Sequence, residues 1–184
     1  MPTILTHALS GAAVGAGFRR PLGLARIWFA GAVCAALPDL DVLGFRLGIH
    51  YGDVLGHRGF THSLAFAALL AALAVSAVFP RGAPGWSRGA LWLYLFVATA
   101  SHGVLDALTD GGRGVAFFSP FSNVRYFFPV QPVQVSPIGV RSFMSSEGLT
   151  VLSSEVRWIW LPSVLLLGGA FVARAAASVL ARRE

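Results

Sequence analysis

Apolar residues run in blocks along this chain, and short polar islands separate the blocks. Residues 63–80, 90–109 and 157–173 are nearly free of charge, and each approaches the roughly 20 residues that a helix needs to cross a bilayer. Two further blocks, 4–18 and 23–37, are shorter and Ala/Gly-rich, with Arg19-Arg20-Pro21 between them. They suit a tight helical hairpin or shallow, partly re-entrant helices, and count as two more membrane helices. The pattern predicts an all-α, polytopic membrane helix bundle of four to five helices, a single domain over residues 1–184. Within it, residues 110–156 read as an aromatic and proline-rich extramembrane loop.

Composition supports the block pattern. Hydrophobic residues make up 55% of the chain and charged ones 12%, about half the roughly 25% of a soluble domain. No basic residue precedes the first apolar block and His7 interrupts its start, so this block is expected to stay on as structure and not to act as a cleaved signal. Cys34 is the only cysteine, which excludes an internal disulfide and a cluster of thiolate ligands.

Fourteen arginines, with no lysine, stand against eight acids. Threading five helices up and down places Arg19, Arg20, Arg26, Arg81, Arg88, Arg174, Arg182 and Arg183 on one side, opposed only by Glu184. The other side carries six arginines and seven acids. Short basic loops face the cytoplasm, so the acidic, longer-looped side is expected outside, together with the N-terminus. The arginines are thus an orientation signal, and no nucleic-acid partner is expected.

The same threading brings the polar islands together at the exterior end. His7 opens the first helix, Pro38-Asp39-Leu40-Asp41 closes the second, His57 to Ser63 leads into the third, and His102 and Asp106 lie in the last turns of the fourth. His102 and Asp106 are four residues apart, which puts them on one helix face within reach of a common ion. Asp39 and Asp41 alternate after a helix-stopping proline, so one can ligate while the other supports it. Thr61 reads as the N-cap of the third helix, and the Gly59-Phe60 turn lets His57 and His62 converge. Arg58 can meet a phosphate oxygen, pair with Asp53 or snorkel to the interface.

Imidazoles and carboxylates without thiolates suit zinc first, then manganese or iron, with magnesium at carboxylate-rich subsets. Such a cluster, of one to two ions or more, would polarise a phosphoryl or carbonyl oxygen and acidify water, which points to hydrolysis. A structural or transported metal is the alternative. Ionisable residues at helix ends, away from mid-bilayer, fit a surface site better than a transport pathway.

The loop after Asp110 carries two Phe-Phe pairs, Tyr126 and prolines at 120, 129, 132 and 137. It reads as an interfacial anchor or as a lid under which a lipid-borne substrate enters, with Arg113 or Arg125 meeting its phosphate. Glu155, before the last block, is a further candidate ligand or general base, against the default of an exposed carboxylate at a helix start. His50, Asp53, Asp110 and Glu147 are expected to be structural.

The motifs His7-Ala8-Leu9, Pro38-Asp39-Leu40-Asp41, His57-Arg58-Gly59-Phe60-Thr61-His62-Ser63 and Ser101-His102-Gly103-Val104-Leu105-Asp106 resemble the membrane-bound metal-dependent hydrolases of the YdjM type in bacteria and archaea. Residues 111–129, Val135-Ser136-Pro137-Ile138 and Glu155-Val156-Arg157-Trp158 extend the resemblance over most of the chain. It implies a divalent-metal hydrolase of the cytoplasmic (inner) membrane. From the residues themselves, Asp41, His57 and Glu155 are the catalytic candidates and Arg58 and Arg125 the substrate-binding ones. The headgroup level of the site implies a phosphoester in a phospholipid or lipid-linked substrate. The order of histidines and aspartates is more distantly similar to the zinc-dependent phospholipase C and P1 nuclease superfamily. That similarity implies His7, Asp39, His62, His102 and Asp106 as metal ligands. The superfamily's second helical ligand pair is missing here, which implies fewer metals than its full cluster.

Overall fold

The computed structural model describes residues 1–18, 25–138, 143–165, 168, 169 and 172. Its elements are α1 (Ile4–Gly17), α2 (Ala25–Ala36), a 3₁₀ helix (Leu37–Leu47) that continues α2, a short 3₁₀ turn (Phe60–His62), α3 (Leu64–Val78), α4 (Arg88–Ala107), and α5 (Ser146–Glu155), which runs into a π turn (Val156–Trp160). The described residues form no named strand; three isolated bridges, such as Val115 with Tyr126, tie the loops.

The packing explains why this sequence needs so few large core residues. α4 sits at the centre, against α1, α2 and α3, with Leu91, Tyr94, Leu95 and Ala98 fully buried. α3 turns Ala67, Ala71 and Val75 inward at a spacing of four residues, while Leu69 and Leu73 are 51% and 58% exposed. Small residues inside and large ones outside reverse the rule for water-soluble helices, and suit a helix whose outer face meets lipid. α1 repeats the arrangement with His7, Gly11 and Gly15. A Cβ on Gly11 would stand 2.5 Å from Gly31 O, and the close approach lets Tyr94 Oη donate to Gly11 O at 3.1 Å.

Among the described residues, two helices are long and apolar enough to cross a membrane: Ala25–Leu47, which is α2 with its 3₁₀ continuation, and α4. α1, with 14 residues, and α3, with 15, are apolar but shorter. The Arg19-Arg20-Pro21 turn, and Arg174, Arg182, Arg183 and Glu184 of the charge pattern, lie outside the described residues, as does part of the block 157–173.

Three local expectations are corrected. Ser63, not Thr61, caps α3, its hydroxyl accepting from Phe66 N at 3.1 Å. The Pro38–Asp41 segment, expected to follow a helix-stopping proline, is a 3₁₀ helix that continues from α2, because proline suits the first turn of a helix. The stretch expected to be loop contains α5, which Ser145 caps at its first turn by accepting from Glu147 N.

Candidate metal centre

Four elements bring the candidate ligands to one point: the second turn of α1 (His7), the 3₁₀ continuation of α2 (Asp39), the turn before α3 (His62) and the end of α4 (His102, Asp106). His7, His102 and Asp106 are wholly buried, and Asp39 and His62 are 5% and 4% exposed. His62 Nε2 lies 3.6 Å from Asp39 Oδ1 and 3.3 Å from Asp106 Oδ2; His102 Nε2 lies 3.3 Å from Asp39 Oδ1 and 4.0 Å from Asp106 Oδ2. His7 Nε2 is 3.4 Å from Asp106 Oδ1 and 4.0 Å from Asp39 Oδ2. All five ligands named from the resemblance therefore meet, and Asp39, His62, His102 and Asp106 form a set able to hold a single ion.

The back nitrogens are committed. His102 Nδ1 faces Ala35 O at 2.7 Å, and a carbonyl only accepts, so Nδ1 carries the proton and Nε2 presents a lone pair. His62 Nδ1 faces the Thr61 hydroxyl oxygen at 3.0 Å and Asp41 Oδ2 at 3.2 Å; the Thr61 hydrogen goes to Asp41, so both oxygens accept and Nδ1 carries a proton. Asp41 is held in turn by the hydroxyl of Thr61, which donates to it at 2.6 Å. A carboxylate or carbonyl behind each imidazole is the usual support of a metal ligand. The outcome is two Nε2 atoms facing each other at 3.0 Å, a contact that a proton on His62 holds in the metal-free protein and that a metal ion can take over.

The unmatched polar atoms point the same way. Both ring nitrogens of His7 and all four carboxylate oxygens of Asp39 and Asp106 are buried without a hydrogen bond, a costly condition for carboxylates. Arg58 Nε lies 3.0 Å from Asp106 Oδ2, as an ion pair without the angle of a hydrogen bond. Asp39, Asp41 and Asp106 gather here, with the Met1 amino group and the guanidinium of Arg58 as the cations acting on Asp106. Burial by itself lowers the basicity of His62, and the carboxylates of Asp106, Asp39 and Asp41 outweigh it, raising its pKa well above the ordinary imidazole value.

The remaining candidates fall around this core. Asp41 Oδ1 also binds His57 Nδ1 at 2.7 Å, so Asp41 stands behind two imidazoles at once. The His57 ring lies edge-on to Tyr51 and to His62, at 5.2 and 5.4 Å between centroids. Arg58 is buried, with Nη1 donating to Gly111 O and Nη2 to Thr109 Oγ1. Its partner is Asp106, not Asp53, and it does not snorkel. Gly112, at φ +90°, must be glycine, because a Cβ there would lie 2.7 Å from both Arg58 Nη1 and Tyr51 Oη. Arg125 donates to His57 O and to Tyr51 O, both at 2.9 Å, and so clamps the loop that carries His57. Arg113 is exposed, with its guanidinium 5.7 Å from the Tyr51 ring.

Glu155 lies apart from the cluster. It is wholly buried, not exposed at a helix start, and accepts from Thr3 N at 2.5 Å, Thr3 Oγ1 at 2.7 Å and Thr6 Oγ1 at 2.6 Å. It thus anchors the N-terminus of α1, one turn before His7. His50 is exposed and pairs with Asp53, away from the site. Thr61, Thr109 and the Ala35 carbonyl are the supporting groups that the sequence reading did not assign to the site.

Apolar helices that turn their bulky side chains outward, around a buried imidazole and carboxylate cluster, define the class: an all-helical membrane protein with a candidate metal centre. Within that class, the chain belongs to the family described as YdjM inner membrane protein, whose profile matches residues 1–178. It is 42% identical over 171 residues to Inner membrane protein YbcI of Escherichia coli (strain K12), covering 91% of this chain and 96% of that one. No solved structure matches it.

Proposed function

We propose that this chain is a bacterial or archaeal inner-membrane hydrolase that cleaves a phosphoester in a phospholipid or lipid-linked substrate, with its metal centre on the extracytoplasmic face. The observation that carries the reading is the pair of imidazoles, His62 and His102, whose Nε2 atoms face each other at 3.0 Å with both back nitrogens committed. Nitrogen and oxygen donors without thiolate favour zinc, then manganese, with magnesium the hard-ligand case. When bound, such an ion supplies Lewis acidity to a phosphoryl oxygen and lowers the pKa of a coordinated water.

The protein's own groups complete the chemistry. Asp41 fixes Nδ1 of His57, which leaves Nε2 of that ring to take up and deliver a proton beside the centre. Arg58 holds Asp106 from behind, and Arg125 fixes the backbone of His57. Arg58 and the two terminal nitrogens of Arg125 are thereby engaged within the protein, and exposed Arg113 is the guanidinium best placed for an anionic headgroup. Glu155 acts through α1 as a positioning residue.

The test is turnover of a panel of phosphoesters, from p-nitrophenyl phosphate to phosphatidic acid vesicles, by detergent-purified protein with its metal content measured. Metal-loaded wild type is expected to hydrolyse a member of the panel, and His57→Ala to keep the metal and lose activity. Loaded wild-type protein inactive on the whole panel would end the hydrolase reading. A second reading, a metal that only staples the helices, is favoured by the near-complete burial of the donors. It expects a chelator to abolish cooperative unfolding, not merely to lower its midpoint.

A further inference from the structure

We infer that the groove between α2 and α3 holds an acyl chain of an anionic phospholipid, whose headgroup sits on Arg26, Arg81 and Arg88 at the end of the bundle opposite the metal centre. Its binding is independent of the proposed hydrolysis.

α2 and α3 each pack on α4 but hardly on each other. α2 turns Phe29, Val33 and Leu37 towards a cleft of about 520 Å³, and α3 turns Leu70, Leu73 and Ala77 towards it. Each set repeats every three or four residues, so each helix gives the cleft one apolar stripe. The volume falls within the ~300–1,000 Å³ of clefts that take small molecules, and Phe29 is 70% exposed. From Arg26 to Leu37 the helix rises ~16 Å, close to the ~15 Å that is half of a ~30 Å hydrocarbon core. A groove one leaflet deep matches a single acyl chain in length.

Three arginines stand at the mouth. Arg26, part of the groove wall, donates from Nη2 to Val78 O at 2.5 Å, and its guanidinium lies 5.2 Å from the centre of the Phe79 ring. Arg88 Nη1 donates to Pro80 O at 2.9 Å, and Arg81 is the next residue. All three are exposed. Capping the end of α3 uses one of the five donors of each capping guanidinium. Residues 1–38 and 63–105 contain no aspartate or glutamate, so no carboxylate of α1 or α3, or of α2 before its 3₁₀ continuation, balances these charges. An anionic headgroup does.

The polarity of the groove fixes the direction of the lipid. A substrate chain hanging from the metal centre would bring its apolar end to the arginines. A phospholipid seated from the basic end puts its phosphate there and its methyl end against Leu37, two residues short of Asp39. A second copy docked on this groove about an axis along the membrane normal would set its own three arginines against these, at a cost in repulsion.

The experiment uses the full chain in phosphatidylcholine vesicles that carry a trace of photoreactive-acyl phosphatidylglycerol or phosphatidylcholine, and mass spectrometry locates the labelled residues. The phosphatidylglycerol probe is expected to label residues 29–37 and 70–78 above Leu93, which is 47% exposed on the outer face of α4, and above the level of the phosphatidylcholine probe. Arg26→Gln, Arg81→Gln and Arg88→Gln should each lower that labelling about fivefold, which corresponds to ~1 kcal/mol per basic residue at an anionic lipid. Ala77→Phe, at an exposed position of the groove, should remove the groove labelling and leave that of Leu93. Equal labelling by the two probes, or arginine variants without effect, would mean bulk lipid only and overturn the inference. Labelling of the groove by neither probe would also overturn it, and disulfide formation between chains of Phe29→Cys would then identify a second copy as the occupant. Metal content read on the same samples reports on the metal centre separately.

Discussion

His62 uses both of its ring nitrogens, Nδ1 towards Asp41 and Nε2 towards the cluster. Replacing Asp41 by asparagine keeps the volume and removes the charge that holds the ring, so metal affinity is expected to fall about 10- to 100-fold. Competitive titration with a chromophoric chelator measures it, and unchanged affinity would remove Asp41 from the site. The raised pKa of His62 gives a second expectation, whose sign follows from linkage. Its folded value lies well above the ordinary 6.5, so in metal-free protein its contribution to stability is full below about 6.5 and is lost as pH rises through the folded value. Metal must displace that proton, so loading releases protons at neutral pH and weakens as pH falls. Calorimetric titration in buffers of different ionisation enthalpy reads the proton count; zero protons near pH 7 would contradict the assignment. At this scale the sequence was informative about which residues meet, because His7, Asp39, His62, His102 and Asp106 stand out in an apolar chain. It was silent about the Ala35 carbonyl, since a backbone acceptor has no letter, and it gave Thr61 to a helix cap where the fold gives it to Asp41.

The helices carry the centre because their inner faces are small. Gly31 leaves room for Tyr94, and a Cβ there would overlap the Tyr94 hydroxyl. Gly31→Leu is expected to cost about 1–3 kcal/mol or more by overpacking, and to lower metal occupancy as well, because Ala35 and Asp39 follow on the same helix and its continuation. Leu73→Ala, on the outer face of α3, should lie within about 0.5 kcal/mol of wild type. Thermal unfolding in detergent compares the two, and equal losses would mean that the inner face is not where α1, α2 and α4 are locked. The apolar blocks predicted α1 to α4 in order, because long uncharged runs have few structural alternatives. α5 escaped because its 10 residues, SEGLTVLSSE, are polar and short. The role of Glu155 escaped with it, since its partners Thr3 and Thr6 lie at the far end of the chain.

For the whole molecule, the ligands lie at one end of the helices, while Arg26 and Arg88 lie at the other, where α2 and α4 begin. On the proposed orientation that basic end faces the cytoplasm. Single cysteines introduced in residues 81–89, in a Cys34→Ala background, are therefore expected not to react with a membrane-impermeant maleimide added to intact cells. A cysteine at Phe121, 90% exposed in the loop over the site, should react; the reverse pattern would turn the site to the cytosol. Whether the buried imidazoles and carboxylates hold a metal is read by X-ray absorption at the metal edge of the purified protein. A first shell of nitrogen and oxygen only, at about 2.0–2.2 Å, with outer-shell scattering from imidazole, is expected. That imidazole signal should disappear in a His7→Ala, His62→Ala, His102→Ala variant. Protein without metal, or a first shell without imidazole, would contradict the proposed centre.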